Sequence, residues 1–166
     1  MSDPASESST IGRTSGDVAV GDRLDNLVYD VSATTVVLGA MASRDWRPMH
    51  HDKDFAIHRN GIRDIFMNTP NQAAWFERFI TDWSGPTGRM GRMTFTMKGS
   101  VFPGDTMQFS GVVEEVTEDE AGCFWAGLSI ELQVDGDVKT SCRARIALPK
   151  DGQDNPWHRR GGQWKP

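Results

Sequence analysis

The feature that most restricts the fold is a change of period at Gly85. Before it, Thr69-Pro70-Asn71-Gln72 carries the marks of a helix start, with Thr69 as the N-cap, Pro70 at the first helical position and Gln72 closing a capping box. Ala73, Phe76, Ile80 and Trp83 then recur at helical intervals with Phe79 beside them, and Gly85-Pro86 ends the run. The spacing predicts a helix of about four turns whose aromatic stripe is core rather than ligand-binding. After Gly85 the chain alternates, with Met93, Phe95 and Met97 set against Thr94, Thr96 and Lys98. Three further strands are expected over 106–117, 123–134 and 138–148, divided by turns at Pro103-Gly104-Asp105, 118–122 and Asp135-Gly136-Asp137. The order is that of an α+β domain in which one long antiparallel sheet wraps one buried helix.

Ahead of the helix, residues 23–32 form a ragged apolar pattern consistent with a strand. Residues 33–43 read as a helix capped by Thr34 or Thr35, with strand as the alternative because Val36 and Val37 are β-branched. Residues 1–17 are rich in Ser, Gly, Asp and Thr and are expected to be a disordered tail. Residues 150–166 are expected to be an irregular C-terminal tail whose Trp157 and Trp164 could dock on a partner or on the chain itself, with an undocked tail as the open alternative. The ordered domain is then 18–149, one domain by length. The formal charge of −5 leaves no electrostatic footprint for nucleic acid. No apolar run is long enough to span a membrane, and the polar N-terminus lacks a secretory leader. Cys123 and Cys142 have no metal-ligand spacing and read as free buried thiols, so a reducing cytoplasm is the expected location.

Chemistry concentrates in Asp45-Trp46-Arg47-Pro48-Met49-His50. Pro48 blocks a regular helix and biases Arg47 toward an extended backbone, which makes a stiff turn able to aim Asp45 and His50 at one point. An Asp–His pair converging on one water is a general base suited to neutral pH. Taken alone, the segment reads more readily as a surface turn in which Asp45 caps a backbone amide and His50 is solvated. His50, His51 and His58 with Asp52 and Asp54 have no recognised metal-ligand spacing, and adjacent histidines on an extended segment point apart, so no metal is expected. His51 and Asp52 are read instead as orienting the loop or starting a short helix.

This segment, followed by Ala56 after five intervening residues, resembles the signature of the MaoC-like hydratases, the hydratase 2 family of enoyl-CoA hydratases. Phe102-Pro103-Gly104-Asp105-Thr106 is similar to the family's Pro-Gly-Asp turn, and the likeness extends over residues 21–148. Arg44-Asp45-Trp46, His50-His51-Asp52, Asp64-Ile65-Phe66-Met67-Asn68 and Thr81-Asp82-Trp83 resemble a subgroup associated with actinobacterial sterol side-chain degradation, in which a small single-hotdog chain pairs with a second hotdog chain. The chain departs from the family in having Arg44 where Gly is common, Arg47 where Asn is common, and Met67-Asn68 where many members have His-Gly.

The resemblance implies a single hotdog and reversible addition of water to a 2-enoyl-CoA to give a 3-hydroxyacyl-CoA, within lipid or steroid metabolism. Asp45 and His50 would be catalytic. Asn68, Thr69, Arg47 and Trp46 would contact the acyl-CoA, with first-turn amides near Asn68 or Thr69 holding the thioester oxygen. Trp46 could instead anchor the turn in the core. Burial of Asp45 is expected to raise its pKa. Coenzyme A is part of the substrate and no cofactor is implied. The family also implies a homodimer or a heteromer with a second hotdog chain. Two other functions stay open: a non-catalytic or half-site subunit of a heteromeric hydratase, and an acyl-CoA thioesterase. Thioesterases of this fold generally carry a carboxylate on the central helix, where this chain has only Glu77 and Asp82, near the middle and end.

Overall fold

A computed structural model describes residues 12–166; residues 1–11, the greater part of the expected N-terminal tail, lie outside the described residues. Strand β1 spans Arg23–Asp30, helix α1 Ala33–Ala42, helix α2 Lys53–His58 and helix α3 Thr69–Ser84; strands β2 to β5 span Arg89–Met97, Thr106–Glu118, Phe124–Val134 and Asp137–Leu148. The five strands form one antiparallel sheet in the order β1-β3-β4-β5-β2, so β1 and β2 are its edges. This is the expected hotdog arrangement.

The alternation of side chains along each strand sends one set inward, including Phe109, Leu128, Ile130, Leu132, Cys142 and Ile146, and all of these pack in the main core with α3. Phe76 and Ile80 are fully buried and Phe79 nearly so. Phe76 meets Phe109 edge-on with ring centroids 5.2 Å apart. Burying one such side chain is worth about 2–3 kcal/mol, so the aromatic stripe fixes α3 against the sheet. The β4–β5 hairpin turns through Asp135 and Gly136 with φ of 52° and 81°, the pair of left-handed residues that a tight two-residue turn requires.

Two helix starts differ from expectation. Helix α1 is capped by Ser32, whose hydroxyl accepts from the Thr35 N–H, and the β-branched residues behind it do not convert the segment to a strand. Helix α3 is capped by Asn68 rather than Thr69: the Asn68 side chain accepts from the Asn71 N–H. Asn caps at least as well as Thr, and the shift leaves Gln72 free to enter the core, where it accepts a 2.8 Å hydrogen bond from Thr140.

The tails pack on the domain where they are described. Arg13 donates through its backbone to Ser84 O and through Nε to Trp83 O, so the part of the N-terminal tail within 12–17 is tied to the end of α3. The C-terminal segment docks on the chain's own sheet. Trp164 stacks on buried Trp125 at 5.0 Å, Arg89 lies 3.6 Å under the Trp164 ring, and the Trp157 indole donates to Gly88 O. Cys123 and Cys142 are free and buried, and burial pushes the Cys142 thiol up to about 12. No helix among the described residues is long and apolar enough to cross a membrane.

Candidate active site

The site is assembled where α1 ends, a proline turn follows and α3 begins. Ser43 closes α1 by donating to Gly39 O, and Arg44 then takes a left-handed conformation with φ of 55°, at the position where the family commonly has Gly. That bend turns Asp45 inward. Pro48 opens a short 3-10 turn over Pro48–His50, and Arg47 before it is extended, at φ −65° and ψ 127°. Asp52 caps α2 through the Phe55 N–H, so the segment after His50 does start a short helix. Ala56 in α2 is fully buried.

Asp45 and His50 converge: His50 Nε2 lies 3.5 Å from Asp45 Oδ2, with the two side chains 4% and 10% exposed. The other ring nitrogen, Nδ1, lies 2.8 Å from Phe66 O. A carbonyl oxygen can only accept, so Nδ1 carries a proton, and Nε2 is the ring nitrogen that faces Asp45. The Phe66 ring packs edge-on against the imidazole at 4.7 Å. Carbonyl and ring together fix the tautomer and the plane of His50.

Asp45 is held from three sides. Arg47 donates through Nε to Oδ1 and through Nη2 to Oδ2, both at 2.8 Å, and Asn68 Nδ2 donates to Oδ2 at 3.1 Å. The Arg47 guanidinium, helped by the Asn68 amide, holds the Asp45 carboxyl well below the usual carboxylate range. This corrects the expected rise: the donors outweigh burial.

The four residues expected at the substrate separate in their positions. Asn68 is buried, and its side chain is spent on Ser43, Asp45 and the α3 cap. Arg47 is committed to Asp45. Trp46 is 65% exposed and so does not anchor the turn in the core. Thr69 is exposed and its hydroxyl contacts Met97 Sδ at 3.4 Å. Pro70 has no N–H and Asn71 gives its own to Asn68, which leaves the Thr69 N–H as the open amide of the first turn. The partners of Asp45 were the part missed by sequence reasoning; the two departures from the family pattern, Arg47 and Asn68, are the positions that supply them. A groove of about 470 Å³ lies elsewhere, on the sheet's outer face, lined by charged residues that include Arg92, Glu114 and Arg143.

No protein-family model matches the chain. It is 33% identical over 99 residues, 60% of this chain and 76% of the relative, to the 3-oxo-4,17-pregnadiene-20-carboxyl-CoA hydratase beta subunit of Mycobacterium tuberculosis. The chain belongs to the MaoC-like hydratases. A chain of the ChsH1-ChsH2 complex from Mycobacterium tuberculosis superposes with a TM-score of 0.72 at 25% identity, covering 78% of this chain and 98% of that one. A MaoC-like dehydratase from Rhodospirillum rubrum shares the fold at a TM-score of 0.71 and 21% identity, over 82% of this chain and 97% of that one. The MaoC-like fold thus accounts for the sheet and the central helix.

Proposed function

We propose that the chain is an enoyl-CoA hydratase in which His50 activates a water beside the carboxylate of Asp45. The observation that carries this reading is the 3.5 Å approach of His50 Nε2 to Asp45 Oδ2, with Nδ1 already engaged by Phe66 O. His50 Nε2 accepts a proton from water as the water oxygen bonds to C3 of the enoyl group. The π electrons of the double bond move toward the thioester, and negative charge develops on its oxygen. The Thr69 N–H, at the positive end of α3, stabilises that oxyanion; one such donor is typically worth about 3 kcal/mol. His50 then returns the proton to C2 and the thioester carbonyl re-forms. Asp45 keeps negative charge beside the imidazolium formed in the first step. The relative's substrate name supports a steroid-derived acyl-CoA as the substrate class. Trp46, exposed next to Asp45 in the turn, is a side chain available to the acyl-CoA.

A second reading is a half-site subunit whose chemistry depends on another hotdog chain. It is favoured by the engagement of Asp45 with Arg47 and by the relative being a beta subunit. Edge strand β2, which ends at Met97 beside Thr69, would meet the second chain and complete the acyl site. Both readings are tested by adding the chain, alone and then mixed with a second hotdog chain, to a 2-enoyl-CoA. Loss of enoyl absorbance by the chain alone supports the first reading. Activity only in the mixture supports the second. Thiol release in place of hydration would make the chain a thioesterase and remove both.

A further inference from the structure

The MaoC-like resemblance would place Arg47 against the acyl-CoA, yet Arg47 makes the shortest contacts to the proposed catalytic carboxylate. We propose that Arg47 is a positioning residue that pins Asp45 as a fixed anion facing His50, leaving His50 as the only proton carrier of the site. This rests on the hydratase reading above.

Geometry argues for it at three levels. The residue before a proline is confined to extended backbone, and Arg47 at φ −65° and ψ 127° folds its guanidinium back onto the carboxylate two positions earlier. The contact is two-pronged, Nε to Oδ1 and Nη2 to Oδ2, a fork that fixes the carboxylate plane and that lysine cannot reproduce. The remaining acceptor positions are also occupied, by the Arg47 N–H at 3.4 Å on Oδ1 and by Asn68 Nδ2 at 3.1 Å on Oδ2. A carboxylate offers about four such positions, so a proton arriving on Asp45 must displace an N–H donor. The groups facing Asp45 are Arg47 and His50 from its own turn and Asn68 from the start of α3; among the described residues no second acidic side chain opposes it. Arg47 itself is 65% exposed, so its pairing contributes little to stability, and its consequence is orientation.

The test compares wild type with Arg47→Ala and Arg47→Lys in two ways. Carbon NMR of the Asp45 carboxyl needs no catalysis. The carboxyl is expected to stay ionised through the acid range in wild type and to titrate at about 4, the ordinary range, in Arg47→Ala. In the hydration assay, run with whichever assembly is active in wild type, Arg47→Ala is expected to lower kcat by about tenfold or more with KM within about twofold. Arg47→Lys should recover part of the loss, and added guanidinium should restore Arg47→Ala. Unchanged Asp45 titration in Arg47→Ala overturns the proposal. So does a raised KM at unchanged kcat, which would make Arg47 a contact for the phosphates of coenzyme A. A wild type inert in every assembly sinks the hydratase reading and with it the catalytic role, while the NMR titration still judges the clamp separately.

Discussion

Asp45 and Asp119 are both partly buried carboxylates in turns, and both are held below the ordinary carboxylate range, but their surroundings differ in kind. Asp119 closes the β3–β4 turn: Oδ1 accepts from the Ala121 and Cys123 N–H groups and Oδ2 from the Trp125 indole, all at 2.9 Å. Burial pushes its pKa up, and these three donors outweigh it. Every donor is backbone or a buried ring, so the carboxylate is locked. Asp45 instead meets an arginine that reaches in from solvent, an amide shared with a helix cap, and an imidazole whose Nε2 faces it. Fixed donors alone suit a structural role. A carboxylate oriented beside an imidazole suits chemistry.

Substitution should separate the two. Asp45→Ala is expected to act mainly on hydration, lowering it by about a hundredfold or more with a smaller loss of stability, because it removes charge from beside the base. Asp119→Ala should do the reverse, losing about 2–4 kcal/mol of stability with kcat per folded molecule unchanged, because the Trp125 indole and two backbone N–H groups are left unpaired. If Asp119→Ala proves as stable as wild type, the contrast between the two carboxylates collapses.

Acid should sharpen the same contrast. A carboxylate whose folded pKa is depressed contributes stability that is present above its unfolded value of about 4 and is lost as pH falls toward the folded value. Asp45, Asp64 and Asp119 all contribute in this direction. Chemical denaturation measured across that window should show wild type losing stability on acidification, and Asp119→Asn losing less over the same window. The smallest expected effect is at Arg44, whose φ of 55° is costly for a side chain with a Cβ. Arg44→Gly should raise stability by up to about 1 kcal/mol, read as a shift in denaturant midpoint at unchanged slope. A loss would mean that the Arg44 side chain makes a compensating contact.

Much of this was legible in the residues. The Thr69-Pro70 start, the Phe76–Ile80 stripe, the switch to alternation at Met93 and the Asp135-Gly136 turn each encode local conformation, and local rules read them to within a residue or two. The Asp45–His50 approach was legible because Pro48 narrows the possible shapes of a short segment. What could not be read depends on long side chains and distant pairings. Arg47 has several rotatable bonds, and its turn back onto Asp45 rather than outward follows from tertiary placement. The direction of the Asp45 shift was misjudged for that reason. Asn68 and Thr69 are both good caps, and only the burial of Gln72 against Thr140 selects between them. The docking of Trp164 on Trp125 joins segments far apart in sequence and left no local signal.

The most direct measurement is the hydration rate of a 2-enoyl-CoA by wild type and by His50→Ala, followed through loss of enoyl absorbance with free thiol monitored in parallel. With His50 as the proton carrier, the rate should fall by about a hundredfold or more and no thiol should appear in either case. Equal rates in the two proteins would contradict the assignment of His50, and with it the chemistry proposed for this site.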